Sequence, residues 1–272
     1  LMEDLGEALA KGDPNTLMLG GGNPAHIPEL ERVLRETLGE IADDPKLCSR
    51  MLGDYDPPEG HPAFREALAS ELKARFGWPI GPENIFLSPG SQAAYFTLFN
   101  ALAGECGTVH LPLVPEYIGY RDIGLKPDLF RSHRPDIELH GDFRFKYRVH
   151  PEAYELKDDV CAVCISRPTN PTGNVLTDDE VAELSRLTKE ADIPFILDNA
   201  YGLPFPRIVF NEAKPFWDEH VILCMSLSKF GLPATRTGIV VARPDIVKAL
   251  GRANTIHCLA TPSVGAEIAL RL

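Results

Sequence analysis

Apolar positions recur at helical spacing early in the chain and as short unbroken runs later. Leu30, Val33, Leu34, Leu38 and Ile41 fall on one face of a helix that starts after Pro28. A second helix is expected from about Pro62 to Phe76. Between them, Asp54-Tyr-Asp-Pro-Pro-Glu-Gly60 is dense in turn formers and must be a loop. Upstream, to about Asn23, the chain reads as an arm with one short amphipathic helix.

From Asn84 onward the pattern switches. Asn84–Ser88, Thr108–Leu113, Val160–Ser166, Pro194–Asp198, Val221–Ser226 and Thr237–Ala242 are candidate strands. Continuous apolar strands separated by helical stretches indicate a mainly parallel sheet flanked by helices, an α/β fold. Thr177–Ala191 is a crossover helix, with Thr177 as N-cap and Glu180 as its capping-box partner. Another helix follows Gly90-Ser91-Gln92 and runs to about Ala103, and one begins near Ser263. The expected organisation is an arm and first helices over 1–45, a large domain over 46–262, and the start of a helix over 263–272.

The strand ends share one property. They run into Ser88-Pro-Gly-Ser-Gln92, Ser166-Arg-Pro-Thr-Asn170, Asp198-Asn-Ala-Tyr201 and Ser226-Leu-Ser-Lys229. Open parallel sheets bind ligands outside the carboxyl ends of their strands. An amide, a carboxylate, a phenol, hydroxyls and an amine are thus expected around one crevice.

Charge narrows the ligand. The 272 residues carry 39 acidic and 27 basic side chains, a formal charge of −12, with 44% hydrophobic content. Such a surface repels phosphate backbones, which argues against a general nucleic-acid or anionic-membrane binder. Any phosphate site must be local. No apolar run approaches the roughly 18–20 residues that cross a bilayer. The start, Leu1-Met2-Glu3-Asp4, lacks the basic and apolar regions of a secretory signal, so a cytoplasmic chain is expected. Six cysteines are present, with Cys161 and Cys164 forming a C-x-x-C inside a strand-like run. Residues three apart on a regular strand face opposite ways and cannot share an ion, so buried thiols and no metal site are expected.

The chemistry centres on Ser226-Leu-Ser-Lys-Phe-Gly-Leu-Pro-Ala-Thr-Arg236. A lone lysine after a strand is commonly a surface lysine whose stem lies along the protein. Lys229 instead has Ser226 and Ser228 beside it and Arg236 downstream. Hydroxyls and a guanidinium suit a phosphate dianion. A desolvated lysine near cations has a lowered pKa and attacks carbonyls.

This segment resembles the S-x-S-K…R box of fold-type I pyridoxal-phosphate enzymes. Ser166-Arg-Pro-Thr-Asn-Pro-Thr-Gly173 resembles the N-P-T-G box of that family, and Asp198-Asn-Ala-Tyr201 its D-x-x-Y box, all in the family's order. The resemblance runs from Gly20 to the end and points to the class I/II aminotransferases, with an aspartate-aminotransferase-like large domain. It implies pyridoxal 5′-phosphate as cofactor, held by Lys229 as an imine, with Lys229 then serving as proton-transfer base. Asp198 is implied to face the pyridine nitrogen, and Tyr201 and Asn170 the ring's phenolic oxygen. Gly90, Ser91 and Gln92 at a helix N-terminus, with Ser226, Ser228 and Arg236, are implied to cradle the phosphate. Tyr117 matches a ring that stacks on the cofactor. Tyr55 matches a tyrosine that reaches the neighbouring subunit's phosphate, which implies a homodimer. Gly21 and Gly22, with Asn170, match the substrate side of the site.

The wording of Leu19-Gly-Gly-Gly-Asn-Pro24, Pro115-Glu-Tyr-Ile-Gly-Tyr120 and Cys224-Met-Ser-Leu-Ser-Lys229 resembles a branch acting on small aliphatic amino acids. Amino transfer between valine or alanine and a 2-oxo acid such as pyruvate is the reaction it implies. Family members continue into a small C-terminal domain whose arginine clamps the substrate carboxylate. That domain is expected to be lacking here, leaving weak cofactor binding and poor turnover. Three other readings stay open: a C–S lyase, decarboxylase or cyclase on the same scaffold; a non-catalytic sensor domain; and a dinucleotide enzyme using Gly20-Gly-Gly22-Asn-Pro-Ala25. Pro24 and the lack of a surrounding βαβ unit argue against the last.

Overall fold

The structure, a computed structural model, describes residues 23–105, 107–149, 156, 159–205 and 213–272. The expected arm, Gly20, Gly21, Gly22 and Cys106 lie outside these described residues.

Three helices precede the sheet. α1 (Pro28–Asp43) has proline in its first turn, where a missing N–H costs no hydrogen bond, and buries Thr37 and Ile41. α2 (Pro45–Gly53) follows at once, its N-terminus capped by Asp44, which accepts from Lys46 N and Leu47 N. This helix was not expected from the periodicity; it is short and buries no residue fully. α3 (Pro62–Phe76) buries Phe64, Leu68, Ala69 and Leu72, one stripe at helical spacing, and ends at Gly77 with φ 71°.

The main sheet has seven strands. They are β1 (Ile85–Ser88), β2 (Thr108–Leu111), β3 (Phe130–Ser132), β6 (Val160–Ser166), β7 (Phe195–Asp198), β8 (Val221–Ser226) and β9 (Gly238–Val241). A separate antiparallel hairpin joins β4 (Asp136–His140) to β5 (Arg144–Arg148). The order is β1-β9-β8-β7-β6-β2-β3. The neighbours from β8 to β3 pair in parallel, while β9 runs antiparallel to both β8 and β1. The mainly parallel α/β sheet is therefore as expected, with one reversed strand inside it.

Helices cover both faces. α4 (Ser91–Ala103) and α6 (Pro244–His257) pack on one, with Tyr95, Leu98, Val247 and Leu250 among Cys164, Ile196, Ile222 and Cys224. α3, α5 (Asp178–Glu190) and α7 (Val264–Ala269) pack on the other, with Leu68, Val181 and Ile268 among Ile165, Leu197, Leu223 and Met225. Consecutive residues of β8 enter opposite clusters, as side chains alternating across a strand must. That explains why these strands read as unbroken apolar runs. α5 carries the expected capping box between Thr177 and Glu180.

One expectation fails in β6. Its register with β2 shifts between Thr108 and Val109, and Cys161 packs against the same cluster as Cys164. The irregularity breaks the strict alternation assumed for the C-x-x-C pair. The two thiols have different surroundings: Cys161 Sγ donates to Thr108 O at 3.1 Å, whereas Cys164 lies in the core.

Candidate active site

The sheet register brings the polar strand ends together. Ser166 pairs with Asp198, Asp198 with Cys224, and Gly238 of β9 lies opposite both Ser226 and Ser88. The carboxyl ends of β6, β7 and β8 thus form one rim. The turns that leave them carry Asn170, Tyr201 and Lys229.

Asp198 terminates β7 and is only 5% exposed. Its Oδ1 accepts from Ala200 N at 3.0 Å, and its Oδ2 from the Tyr120 hydroxyl at 2.7 Å. Burial pushes its pKa up, and these donors oppose the rise. Tyr120 is buried too, and burial followed by the Asp198 charge holds its phenol well above the ordinary value. It is a donor that stays neutral. Tyr95 packs edge-on against Tyr120 with ring centroids 5.2 Å apart, and Phe99 does so at 5.3 Å. This aromatic layer keeps water from the back of the carboxylate.

Lys229 lies in the 3-10 turn Ser228–Phe230 that follows β8. Its Nζ stands 5.2 Å from the centroid of the Tyr201 ring. Burial lowers its pKa, which enlarges the fraction present as free amine. Asn170 Nδ2 donates to the Tyr201 hydroxyl at 3.1 Å. A phenol that accepts this bond keeps its own hydrogen for another acceptor. Burial raises the Tyr201 pKa, with the Asn170 bond opposing.

A second cluster faces the start of α4. Gly90 is its N-cap with φ 86° and ψ 152°, a region open to glycine. A Cβ there would lie 2.1 Å from Arg236 Nη2, so the guanidinium sits against the helix N-terminus. Arg236 has a left-handed backbone (φ 49°) and donates from Nη1 to Pro233 O at 3.0 Å. A Cβ on Gly238 would come within 2.4 Å of Ser91 N, which shows how closely β9 approaches the same turn. Ser226 Oγ accepts from Ser228 N at 3.0 Å and shapes the turn holding Lys229. The amides at the start of α4 with the Arg236 guanidinium against them are groups suited to a dianion.

Tyr117 joins the two clusters. Burial raises its pKa first, then the nearby Asp198 and Tyr201, while Arg236 pulls the other way. Its ring stands perpendicular to Tyr120, with centroids 5.4 Å apart. Gln92 has a different job from the one its neighbours suggest: its Nε2 donates to Gly119 O at 2.7 Å and ties α4 to the Tyr117–Tyr120 turn. What it can offer an anion is its backbone amide. Tyr55 is 81% exposed on its loop, beside an Asp56 held by Arg50 Nη2 at 2.6 Å and the Ser263 hydroxyl at 2.7 Å.

The sequence reading missed Tyr120, Tyr95 and Glu116. Tyr120 and Glu116 lie in Pro115-Glu-Tyr-Ile-Gly-Tyr120, where only Tyr117 drew a role. Two polar residues flanking a singled-out aromatic after an apolar strand were the signal available. Among the described residues no cluster of histidine, cysteine and carboxylate side chains suits a metal, and no helix is long and apolar enough to cross a membrane.

The model of the family described as Aminotransferase class I and II matches residues 22–272. Valine–pyruvate aminotransferase of Escherichia coli (strain K12) is 46% identical over 270 residues, 97% of this chain and 64% of that protein. The crystal structure of valine–pyruvate aminotransferase from Salmonella typhimurium LT2 superposes with a TM-score of 0.88 at 45% identity. That match covers 99% of this chain and 66% of the other. A double mutant of Thermus thermophilus aspartate aminotransferase shares the fold, with a TM-score of 0.73 at 23% identity, over 93% of this chain and 63% of that one. The chain spans less than two thirds of the length of the Escherichia coli protein.

Proposed function

The chain belongs to the class I and II aminotransferases, and from that premise we propose that it is the cofactor-binding part of a transaminase that moves an amino group between a small aliphatic L-amino acid and a 2-oxo acid. Aminotransferases of this class and fold use pyridoxal 5′-phosphate. The residues present fit that group: a buried acid, a half-buried amine, and a cradle at Gly90 that one Cβ would fill. When bound, the cofactor supplies an aldehyde that exchanges amino groups and a ring that draws electron density from the substrate α-carbon.

The chain's own side chains have separable tasks. Lys229, with its lowered pKa, holds the cofactor and moves the proton at the substrate α-carbon. Asp198, backed by Tyr120, keeps a proton on the ring nitrogen. Tyr201, whose hydroxyl accepts from Asn170 Nδ2 and so keeps its own hydrogen, would donate to the phenolic oxygen, as would the second amide hydrogen of Asn170. Tyr117 covers a ring face. The amides of Ser91 and Gln92, with Ser226, Ser228 and Arg236, would take the phosphate; Gly90 N already donates to Ser88 O at 2.7 Å, so Gly90 contributes the room its missing Cβ leaves for the guanidinium. Asn170 also serves the substrate side, while the expectation for Gly21 and Gly22 lies outside the described residues. Tyr55, left in solvent, serves the phosphate of a second subunit, so the working unit is a homodimer. Valine or alanine with pyruvate is the substrate pair, on the strength of 46% identity to the Escherichia coli enzyme. The described cysteines are free thiols, which suits a reducing cytoplasm.

The observation that carries this reading is the convergence of Asn170, Tyr201, Asp198 and Lys229 on the carboxyl ends of three adjacent parallel strands. The test is the absorbance of protein loaded with pyridoxal phosphate, before and after borohydride. Reduction is expected to fix the cofactor to the peptide containing Lys229. L-valine is expected to convert the cofactor to its amine form. Fixation at another lysine would overturn the assignment of the site, and regeneration of the aldehyde with released cleavage products would favour a lyase.

A further inference from the structure

Glu116 has no task in the transaminase reading, yet three donors converge on it. Ser166 N donates to Oε1 at 2.9 Å, while the Ser166 hydroxyl and Tyr117 N donate to Oε2 at 2.5 Å and 3.1 Å. The reason lies in the sheet. β2 ends at Leu111, and its pairing with β6 runs only as far as His110 opposite Val163. Backbone amides of a strand point alternately to its two neighbours. Val163 N and Arg167 N bond to Pro194 O and Asp198 O on the β7 side. Ser166 N therefore faces the side on which β2 has run out. A buried amide there needs an acceptor, and the Glu116 carboxylate is that acceptor.

Accepting one amide does not call for a charge, since a neutral amide or hydroxyl side chain also accepts. An acid here sits in an unfavourable place. Burial pushes Glu116 up to about 7, the bonds from Ser166 and Tyr117 oppose the rise, and the Asp198 charge adds to it. The groups facing it are Asp198 from β7, Cys164 from β6, and Tyr117 and Tyr120 from the turn after β2. Each of these would carry negative charge if ionised.

Resting on the transaminase reading, we propose that Glu116 is a positioning residue. Its carboxylate locks Tyr117 to the β6 end from which the turn to Asn170 departs, and it loosens both when it gains a proton. The ionised form has acceptor sites for all three donors. Protonation turns one oxygen into a donor and removes the charge, so the Ser166 hydroxyl must reverse to accept and the hold on Ser166 N and Tyr117 N weakens. Tyr117 lies near both Tyr201 and Arg236, the residues proposed to hold the cofactor's phenolic oxygen and phosphate, and Asn170 donates to Tyr201. Cofactor affinity then depends on Glu116 ionisation near neutral pH.

The experiment uses the full chain, 15N-labelled at serine and tyrosine, with and without pyridoxal phosphate. Without cofactor, the Ser166 and Tyr117 amide signals are followed from about pH 5.5 to about pH 8.5. Both are expected to titrate together with a midpoint of about 7, and both lose that step in E116Q. With cofactor, wild-type affinity is expected to fall about tenfold more than that of E116Q between about pH 8 and pH 6, because roughly a tenth of the carboxylate remains ionised at the lower pH. Independent titration of the two amides, or the same pH step in E116Q, overturns the positioning role while cofactor binding at Lys229 leaves the transaminase reading standing. Failure of wild type to bind cofactor at Lys229 overturns that reading, and this proposal with it. If E116Q does not fold, the wild-type amide titration alone decides.

Discussion

Tyr120 donates its phenol hydrogen to Asp198 Oδ2 at 2.7 Å, and both side chains are buried. Hydrogen bonds to an ionised group in a dry site are stronger than neutral ones. This one opposes the upward push of burial on the Asp198 pKa. The charge that is proposed to keep the cofactor's ring nitrogen protonated is therefore maintained from behind, by a residue that faces the core.

Removing that bond tests the relationship. Tyr120→Phe keeps the ring packing on Tyr95 and Phe99 but leaves Asp198 one donor short. The Asp198 pKa then rises further, so the loss is larger at low pH than at high pH. The expected cost is on the order of 1–2 kcal/mol, about tenfold in cofactor affinity. Titration of the cofactor absorbance at two pH values checks both size and sign.

Gly90→Ala attacks the phosphate cradle. The added Cβ would meet Arg236 Nη2 at 2.1 Å in a backbone conformation that L residues avoid. The guanidinium can swing away, so fold stability is expected to fall by only about 1–3 kcal/mol, the range for local backbone strain. Phosphate affinity is expected to fall more than that of Arg236→Lys, which keeps the charge and loses the fork. Calorimetric titration with inorganic phosphate, paired with thermal melts, separates the two effects.

Lys229→Arg keeps a cation near the Tyr201 ring but removes the titratable amine. Borohydride is then expected to fix no cofactor at this position. Turnover is expected to drop by roughly 10²–10⁴-fold, the usual worth of a positioned acid–base group. Retention of turnover within a few fold of wild type would remove Lys229 from the chemistry.

The strands were legible because a sheet covered on both faces must be made of unbroken apolar runs, and Val160–Ser166 and Val221–Ser226 have the expected bounds. The reversed direction of β9 was not legible, since an apolar run has no polarity. The β4–β5 hairpin was missed because Asp136–His140 and Arg144–Arg148 alternate polar and apolar residues and are largely exposed. α2 was missed because it is short and buries nothing fully. In the site, Asn170, Asp198, Tyr201, Lys229 and Arg236 stood in recognisable local boxes. Tyr120 and Glu116 could not be assigned, because each acts on a residue far along the chain, at Asp198 and Ser166.

The protonation of Glu116 also bears on the fold, with a sign opposite to its proposed use. Its pKa in the folded chain, about 7, lies above the ordinary value of 4.5. Between those values the folded state keeps a proton that the unfolded state has released, so stability falls as pH rises through the window. The full effect is on the order of 3–4 kcal/mol, since each tenfold change in proton affinity corresponds to about 1.4 kcal/mol. Asp198, also raised by burial, adds a slope of the same sign. E116Q removes the first contribution and keeps the second. It is therefore expected to match wild type near pH 5 and to exceed it near pH 8 in denaturant unfolding without cofactor. A variant less stable than wild type at pH 8 would mean that the three hydrogen bonds outweigh the desolvation of the charge. A gain in stability alongside a loss of cofactor affinity would instead identify Glu116 as a charge kept for the site at the expense of the fold.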